Sequence, residues 1–396
     1  MQKENKRVNI VLLCTVIYFI SYVTRINYGA IIAEMVTSTG YGKSELSMAL
    51  TGSFITYGLG QIISGYFGDR YQPRLLITLG LLLSVAMNLL IPVCPGKYAM
   101  TAVWCVNGFA QSFMWPPLVK LMTSVLSTEE YNRGCVKVSW GSSLGTVFVY
   151  FMGPAVIALF NWQSVFVMCA LMGIAGLVYW NVKCPSIDLG LTVSKRQINA
   201  ETSKKSVISV FVVLVMLGII LQGILRDGVT TWMPSYISET YNLGNEISIL
   251  TGVLMPLFSI LTLHLTEKIY EKKFTNPHTC ATVVFAVGAL SALVLYFMSD
   301  KSPVSSVLLS ALLTGCMHGV NLLLICIVPP ILAKGANVSF MSGILNCCTY
   351  VGSAISAYVI PLAAEGRGWS FTILMWFVIA LAGTLTCALC IKSKQN

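Results

Sequence analysis

Charge is laid along this chain in clumps separated by long empty stretches, and that spacing most limits what the chain can become. No Asp, Glu, Lys or Arg occurs in 46–68, 75–96, 98–119, 206–225, 247–266, 274–299, 302–333, 335–364 or 368–391. About 20 mostly apolar residues cross a bilayer as a helix, so each run is long enough. The uncharged stretch 138–182 holds two crossings with a turn near Asn161 and Trp162, and residues 8–35 add one more. The spacing predicts an all-α membrane protein of twelve transmembrane helices near 9–35, 45–67, 74–94, 98–124, 134–159, 163–182, 207–238, 245–266, 278–298, 303–332, 338–361 and 368–391. A water-soluble globule is excluded: the chain is 56% hydrophobic and 10% charged, where soluble domains carry about 25% charged residues.

The formal charge of +10 reads as topology rather than as an affinity for nucleic acid. With both termini placed in the cytoplasm, the inner segments hold 19 Lys and Arg and the outer loops only Lys43, Lys97, Lys301 and Arg367. That is the positive-inside bias of an inner-membrane protein. The basic residues do not alternate with aromatics on one surface, as a nucleic-acid face would require. The thirteen cysteines lie mostly in the spans without paired spacing, and are read as buried filler rather than metal ligands or disulfides. A monomer with no cofactor and no metal is expected.

The longest polar interval divides the chain into a bundle at 1–182, a cytoplasmic linker at 183–206 and a second bundle at 207–396. The halves repeat. At an offset of 201, Arg25, Glu45 and Ser47 meet Arg226, Glu246 and Ser248. At 207, Gly108, Gln111, Pro154 and Trp162 meet Gly315, His318, Pro361 and Trp369, and Pro116-Pro117 has a counterpart in Pro329-Pro330. Parallel repeats of this kind are built around a site near the membrane midplane.

Three charges fall well inside predicted spans, away from their ends: Arg25, Arg226 and Asp227. A charge at that depth costs about 2.5–3.5 kcal/mol on insertion scales, so it faces a cavity or a partner. Two arginines at matching repeat positions point to one central anion, because guanidinium forks fit carboxylate and phosphate oxygens. Tyr18 and Tyr22 share the face of Arg25, Tyr57 and Gln61 share a face of the second helix, and Trp115, Trp140, His318, Asn321, Asn346 and Tyr350 are further candidates for the interior. Asp227 is a candidate for proton coupling, or it pairs elsewhere in the bundle.

Gly65-Tyr-Phe-Gly-Asp69-Arg70-Tyr-Gln-Pro-Arg74 links the second and third helices. It resembles the conformational-lock loop of the major facilitator superfamily, with Asp69 set to hold one conformation through ion pairs and a neighbouring helix dipole. YVTRINYGA, TYGLGQIISGYFGDRYQPR, WPPLVKLM and LRDGVTTWMPSYISE resemble the superfamily's organophosphate:phosphate antiporter branch, which includes glycerol-3-phosphate and hexose-phosphate transporters. The resemblance implies that Arg25 and Arg226 bind the substrate's phosphate, with Tyr18, Tyr22 and Tyr57 lining the site. Gln61 stands where the glycerol-phosphate type has a lysine, no histidine occupies 142–144, and the acid beside Arg226 is a departure.

The leading expectation is exchange of a phosphate ester for inorganic phosphate by alternating access. Two alternatives stand beside it: proton-coupled uptake of a carboxylate such as a sugar acid, and a non-transporting phosphate-ester sensor. No nucleophile or phosphate-cradling motif suggests an enzyme.

Overall fold

In lipid every backbone N–H and C=O needs an internal partner, so apolar runs of this length become helices. The structure is a computed structural model that describes residues 2–184, 210–242, 254–333 and 337–393. The predicted linker from 185 onward and the start of the eighth span lie outside the described residues. The helices are α1 (Gln2–Ala30, followed by a short helix Ile32–Thr39), α2 (Lys43–Gly68), α3 (Pro73–Leu90), α4 (Lys97–Gln111, resumed at Trp115–Val125), α5 (Thr128–Leu159) and α6 (Trp162–Lys183). The second half holds α7 (Val210–Tyr241), α8 (Leu254–Lys273), α9 (Pro277–Met298) and α10 (Pro303–Asn321, continued through Leu322–Ile327 and Val328–Ala333). One long stretch, Val338–Ser393, completes it.

Gly368 divides that stretch into α11 (338–367) and α12 (369–393): its φ of 79° is left-handed, a conformation without penalty only for glycine. By length and composition, nine stretches among the described residues qualify as spans. The difference from twelve is local. The joined α11 and α12 count once, α4 is broken, and α8 is described only from Leu254 and ends in a charged turn.

The break in α4 corrects the expectation of one helix over 98–124. Pro116 and Pro117 have no N–H for the preceding turn, and their rings clash with it, so the helix stops at Gln111 and restarts at Trp115. Pro329 and Pro330 act similarly in α10, where Leu322–Ile327 forms a π-helical segment. Elsewhere the ends follow local rules. Ser127 and Glu130 form a reciprocal capping box at the start of α5, Asn161 and Asn276 cap α6 and α9, and Pro73, Pro277 and Pro303 sit at helix starts.

In the first bundle α1 packs against α5 and α6, and α2 against α4; in the second, α7 packs on the α11–α12 stretch. Where α1, α3 and α4 meet, the first bundle is tied by a buried polar hub. Ser21 donates to Gln111 (2.6 Å), whose amide donates to Thr24 (2.9 Å) and Ser84 (2.7 Å), and Asn27 donates to Asn88 (2.7 Å). Two seams join the bundles, α2 against α11 and α5 against α8. Twelve crossings put both chain ends on one face, called here the terminal face.

Candidate functional site

Arg25 lies on α1 within a cage of rings. Its guanidinium carbon is 4.2 Å from the centre of the Tyr22 ring and 4.7 Å from that of Tyr57 on α2. Ring faces carry partial negative charge, so they steady a cation without cancelling it. Tyr22 meets Tyr18 edge-on at 5.2 Å, and Tyr18 leans on Trp115 of α4 at 5.4 Å. From the other bundle, Tyr350 of α11 meets Tyr57 edge-on at 4.5 Å. The cage is therefore shared between the halves.

Arg226 on α7 is held quite differently. Its Nε donates to Asp227 Oδ1 at 2.6 Å and its Nη2 to Oδ2 at 2.9 Å, a bidentate pair between chain neighbours. Its Nη1 donates to Asn321 of α10 at 3.1 Å. The Ser353 hydroxyl of α11 donates a short hydrogen bond to Asp227. The pair is only partly covered, with side-chain exposures of 14% for Arg226 and 32% for Asp227. His318 lies within electrostatic reach of both. Tyr22 and Tyr350 lie within electrostatic reach of both Arg25 and Arg226.

Gln61 is fully buried and already engaged in this conformation. Its amide donates to the Ser112 carbonyl at 3.3 Å, which Pro116 leaves without a helical donor, and its oxygen accepts from Asn346 of α11 at 3.1 Å. Trp140 does not join the arginines; it sits on the α5–α8 seam, 5.9 Å from the His264 ring. The sequence comparison matched Gln111 with His318, yet Gln111 is buried in the polar hub and only His318 stands near the charged pair.

The contacts described between the halves gather from mid-depth toward the terminal face. Asp69 accepts from the Ser339 and Phe340 backbone amides at 3.1 and 2.9 Å, capping the start of α11 across the seam, with the Lys120 ammonium 3.7 Å away. Arg70 stacks 3.5 Å from the centre of the Tyr66 ring, and Arg74 donates to the Asn181 carbonyl at 2.6 Å, so both serve their own bundle. A Cβ on Gly65 would stand 2.7 Å from the Ser339 carbonyl, so this approach of α2 to α11 needs glycine. On the other seam Tyr131 donates to the Cys326 carbonyl in the π segment at 2.8 Å, Ser143 meets Ser259 at 3.0 Å, and Arg133 pairs with Glu271 at 3.2 Å.

Three participants carried no signal of their own in the sequence. Ser353 follows Asn346 and Tyr350 on one face of α11 at steps of four and three, which is the pattern that would have found it. Tyr131 and the Ser112 carbonyl are read only once the proline pairs are known to free acceptors.

Two bundles of six helices, closed on one face and holding charges at mid-depth, define a multi-pass integral membrane protein of transporter architecture. The chain belongs to the Major Facilitator Superfamily, whose family model matches residues 14–357, and so to a class of transporters rather than enzymes. Among its relatives is the membrane sensor protein UhpC of Salmonella typhimurium, 25% identical over 56% of this chain and 55% of the sensor, so the match spans about half of that relative's length. A protein named as a probable hexose phosphate transport protein in Chlamydia muridarum is 21% identical over 94% of this chain and 86% of its own. The proton:xylose symporter XylE superposes with a TM-score of 0.77 over 98% of this chain and 96% of that one, at 12% identity.

Proposed function

We propose that this protein carries small organic anions across an inner membrane by alternating access, and that phosphate esters exchanged for inorganic phosphate are its substrates. One observation carries the reading: Arg25 and Arg226 occupy equivalent positions on the first helix of each half, both within electrostatic reach of Tyr22 and Tyr350. An anion that both forks grip draws the halves together, and it drives the cycle only by binding the closed form more tightly. Tyr18, Tyr22, Tyr57 and Tyr350 line the site, and Gln61 and His318 reach it during the cycle. The bundles 1–182 and 207–396 rock as units joined by the linker 183–206, as a monomer with both termini in the cytoplasm. Gly65 and Asp69 form the lock that steadies the present conformation, while Arg70 and Arg74, expected to share in it, brace the loop within its own bundle.

A second reading, proton-coupled uptake of a carboxylate, gains support from the Arg226–Asp227 pair, which leaves about one net positive charge for the ligand. The match to a sensor keeps a non-transporting role in view as well.

Purified protein in liposomes is expected to exchange labelled phosphate for glycerol 3-phosphate or a hexose phosphate. Arg25→Lys and Arg226→Lys each bring exchange to background, because a point ammonium does not replace a fork. Robust exchange by either variant overturns the assignment; binding with no flux of any anion points to the sensor.

A further inference from the structure

The α5–α8 seam ends toward the terminal face in a cluster of charge that the anion site does not use. Arg133 of α5 bonds Glu129, one turn back on its own helix, at 3.0 Å and reaches across to Glu271 of α8 at 3.2 Å. One turn before Glu271 stands Glu267, with only 12% of its side chain exposed and its Oε2 3.3 Å from His264 Nδ1. The His264 ring meets Trp140 of α5 edge-on at 5.9 Å. Three carboxylates thus gather around one guanidinium, and acids four apart on a helix repel.

Burial decides which of the three is short of a partner. Glu129 and Glu271 bond the guanidinium, whereas Glu267 is the most covered of the three and meets His264 instead. The charged and titratable groups acting on it are Glu271 and His264 of its own helix and Arg133 of α5. From α10 the helix receives Gly315 and Gly319 against Thr262 and Thr266, and α9 meets it at Tyr270 beside Cys280. A covered carboxylate without a cation of its own is more cheaply held neutral than charged.

We propose that this end of the seam is a proton-operated latch, in which one proton on Glu267 holds the two bundles together. The only bond made is O–H, with the proton drawn from water. Burial, and after it the Glu271 charge, push the Glu267 carboxyl above its ordinary value, against smaller opposing pulls from His264 and Arg133. Parting the bundles wets Glu267 and removes the largest of these causes, while Glu271 and His264 stay with it on α8. It also removes Arg133, the weakest of them. The closed seam therefore binds the proton more tightly than the open one, and the proton favours closure in return. That bias is full below the ordinary carboxylate range and is lost as pH rises through the raised value of Glu267. The latch works at the seam whichever anion the protein takes, and it does not rest on Arg25 or Arg226.

Pulsed EPR on the full-length protein in lipid nanodiscs tests it. Spin labels on non-native amino acids at positions 137 and 272, both exposed at this end of the seam, report its width. From about pH 8 to about pH 5.5 the short-distance population is expected to grow, the closed-to-open ratio rising by at most about tenfold per pH unit for a single proton. Glu267→Gln and Glu267→Met cannot charge there, so each is expected to keep the short distance throughout. A wild type that does not respond, or that opens on acidification, overturns the latch whatever the variants do. A folded variant that keeps the wild-type response overturns it as well, and the two substitutions differ enough in polarity that one folded variant suffices.

Discussion

Arg25 and Arg226 show that one residue type at matching repeat positions is stabilised at bilayer depth in two ways. Tyr22 and Tyr57 present ring faces to Arg25, an attraction worth about 0.5–2 kcal/mol per site. Tyr57→Phe keeps the face and is expected to leave anion affinity within about twofold, whereas Tyr57→Leu lowers it roughly two- to thirtyfold, as the same energies imply. Equilibrium binding of glycerol 3-phosphate to the two variants checks this, and equal losses would count against the ring face as the cause. At this scale the sequence was informative about charges and poor about their partners. Arg25, Arg226 and Asp227 stood out because charge is rare in such spans. Ser353 did not, because a serine in an apolar helix is ordinary until the carboxylate it bonds is in place. Gln61 shows the reverse limit: its polarity marked it, but not its commitment to Ser112 and Asn346.

Among the helices, the proline pairs and the Asp69 loop decide where the bundles touch. Asp69 supplies α11 with the acceptors that its first amides lack, and an N-terminal cap of this kind is worth about 0.5–2 kcal/mol. In Asp69→Ala the amides of Ser339 and Phe340 are expected to exchange with solvent several-fold faster in hydrogen-exchange mass spectrometry. Amides at the capped start of α6, held by Asn161 within its own bundle, serve as the unaffected control. Unchanged exchange at 339–340 would mean that the seam is held by packing alone. Helix number and rough position were legible from the charge-free runs, because backbone satisfaction in lipid leaves no other choice. The break at 112–114 was not, since periodicity registers apolar content while a missing N–H acts only on hydrogen bonding. The boundary between the last two spans was expected at 361–368 and the kink falls at its end, although a glycine in an apolar run shows its left-handed φ only once the chain is folded.

For the whole molecule, the distribution of basic residues argues for one orientation. Inner segments carry about +11 and outer loops about −2 when both termini are cytoplasmic. An epitope tag at either terminus is expected to be reached by antibody only after permeabilisation, and one inserted in the turn at Lys301 without it. A terminus labelled on intact cells would reverse the orientation. The contacts described between the halves lie toward the terminal face, so that result would also exchange the side of the membrane on which they lie. The two-half organisation was visible in the sequence because the repeats share charged and proline positions, while the seams between halves were not, because their contacts join residues 116 to 285 positions apart.

The seam at the terminal face has a consequence for water. Its bonds pair groups from opposite bundles: the Cys326 carbonyl with Tyr131, Gln61 with Asn346, and Asp69 with two backbone amides. When the bundles part there, every one of these groups loses its partner at once, and each left dry would cost about 1–3 kcal/mol. The prolines deny Cys326 a rescue from within its own helix. Opening on that face is therefore a wetting step, in which water must advance as far as mid-depth before the bundles can separate, and excluded osmolytes are a natural brake on it.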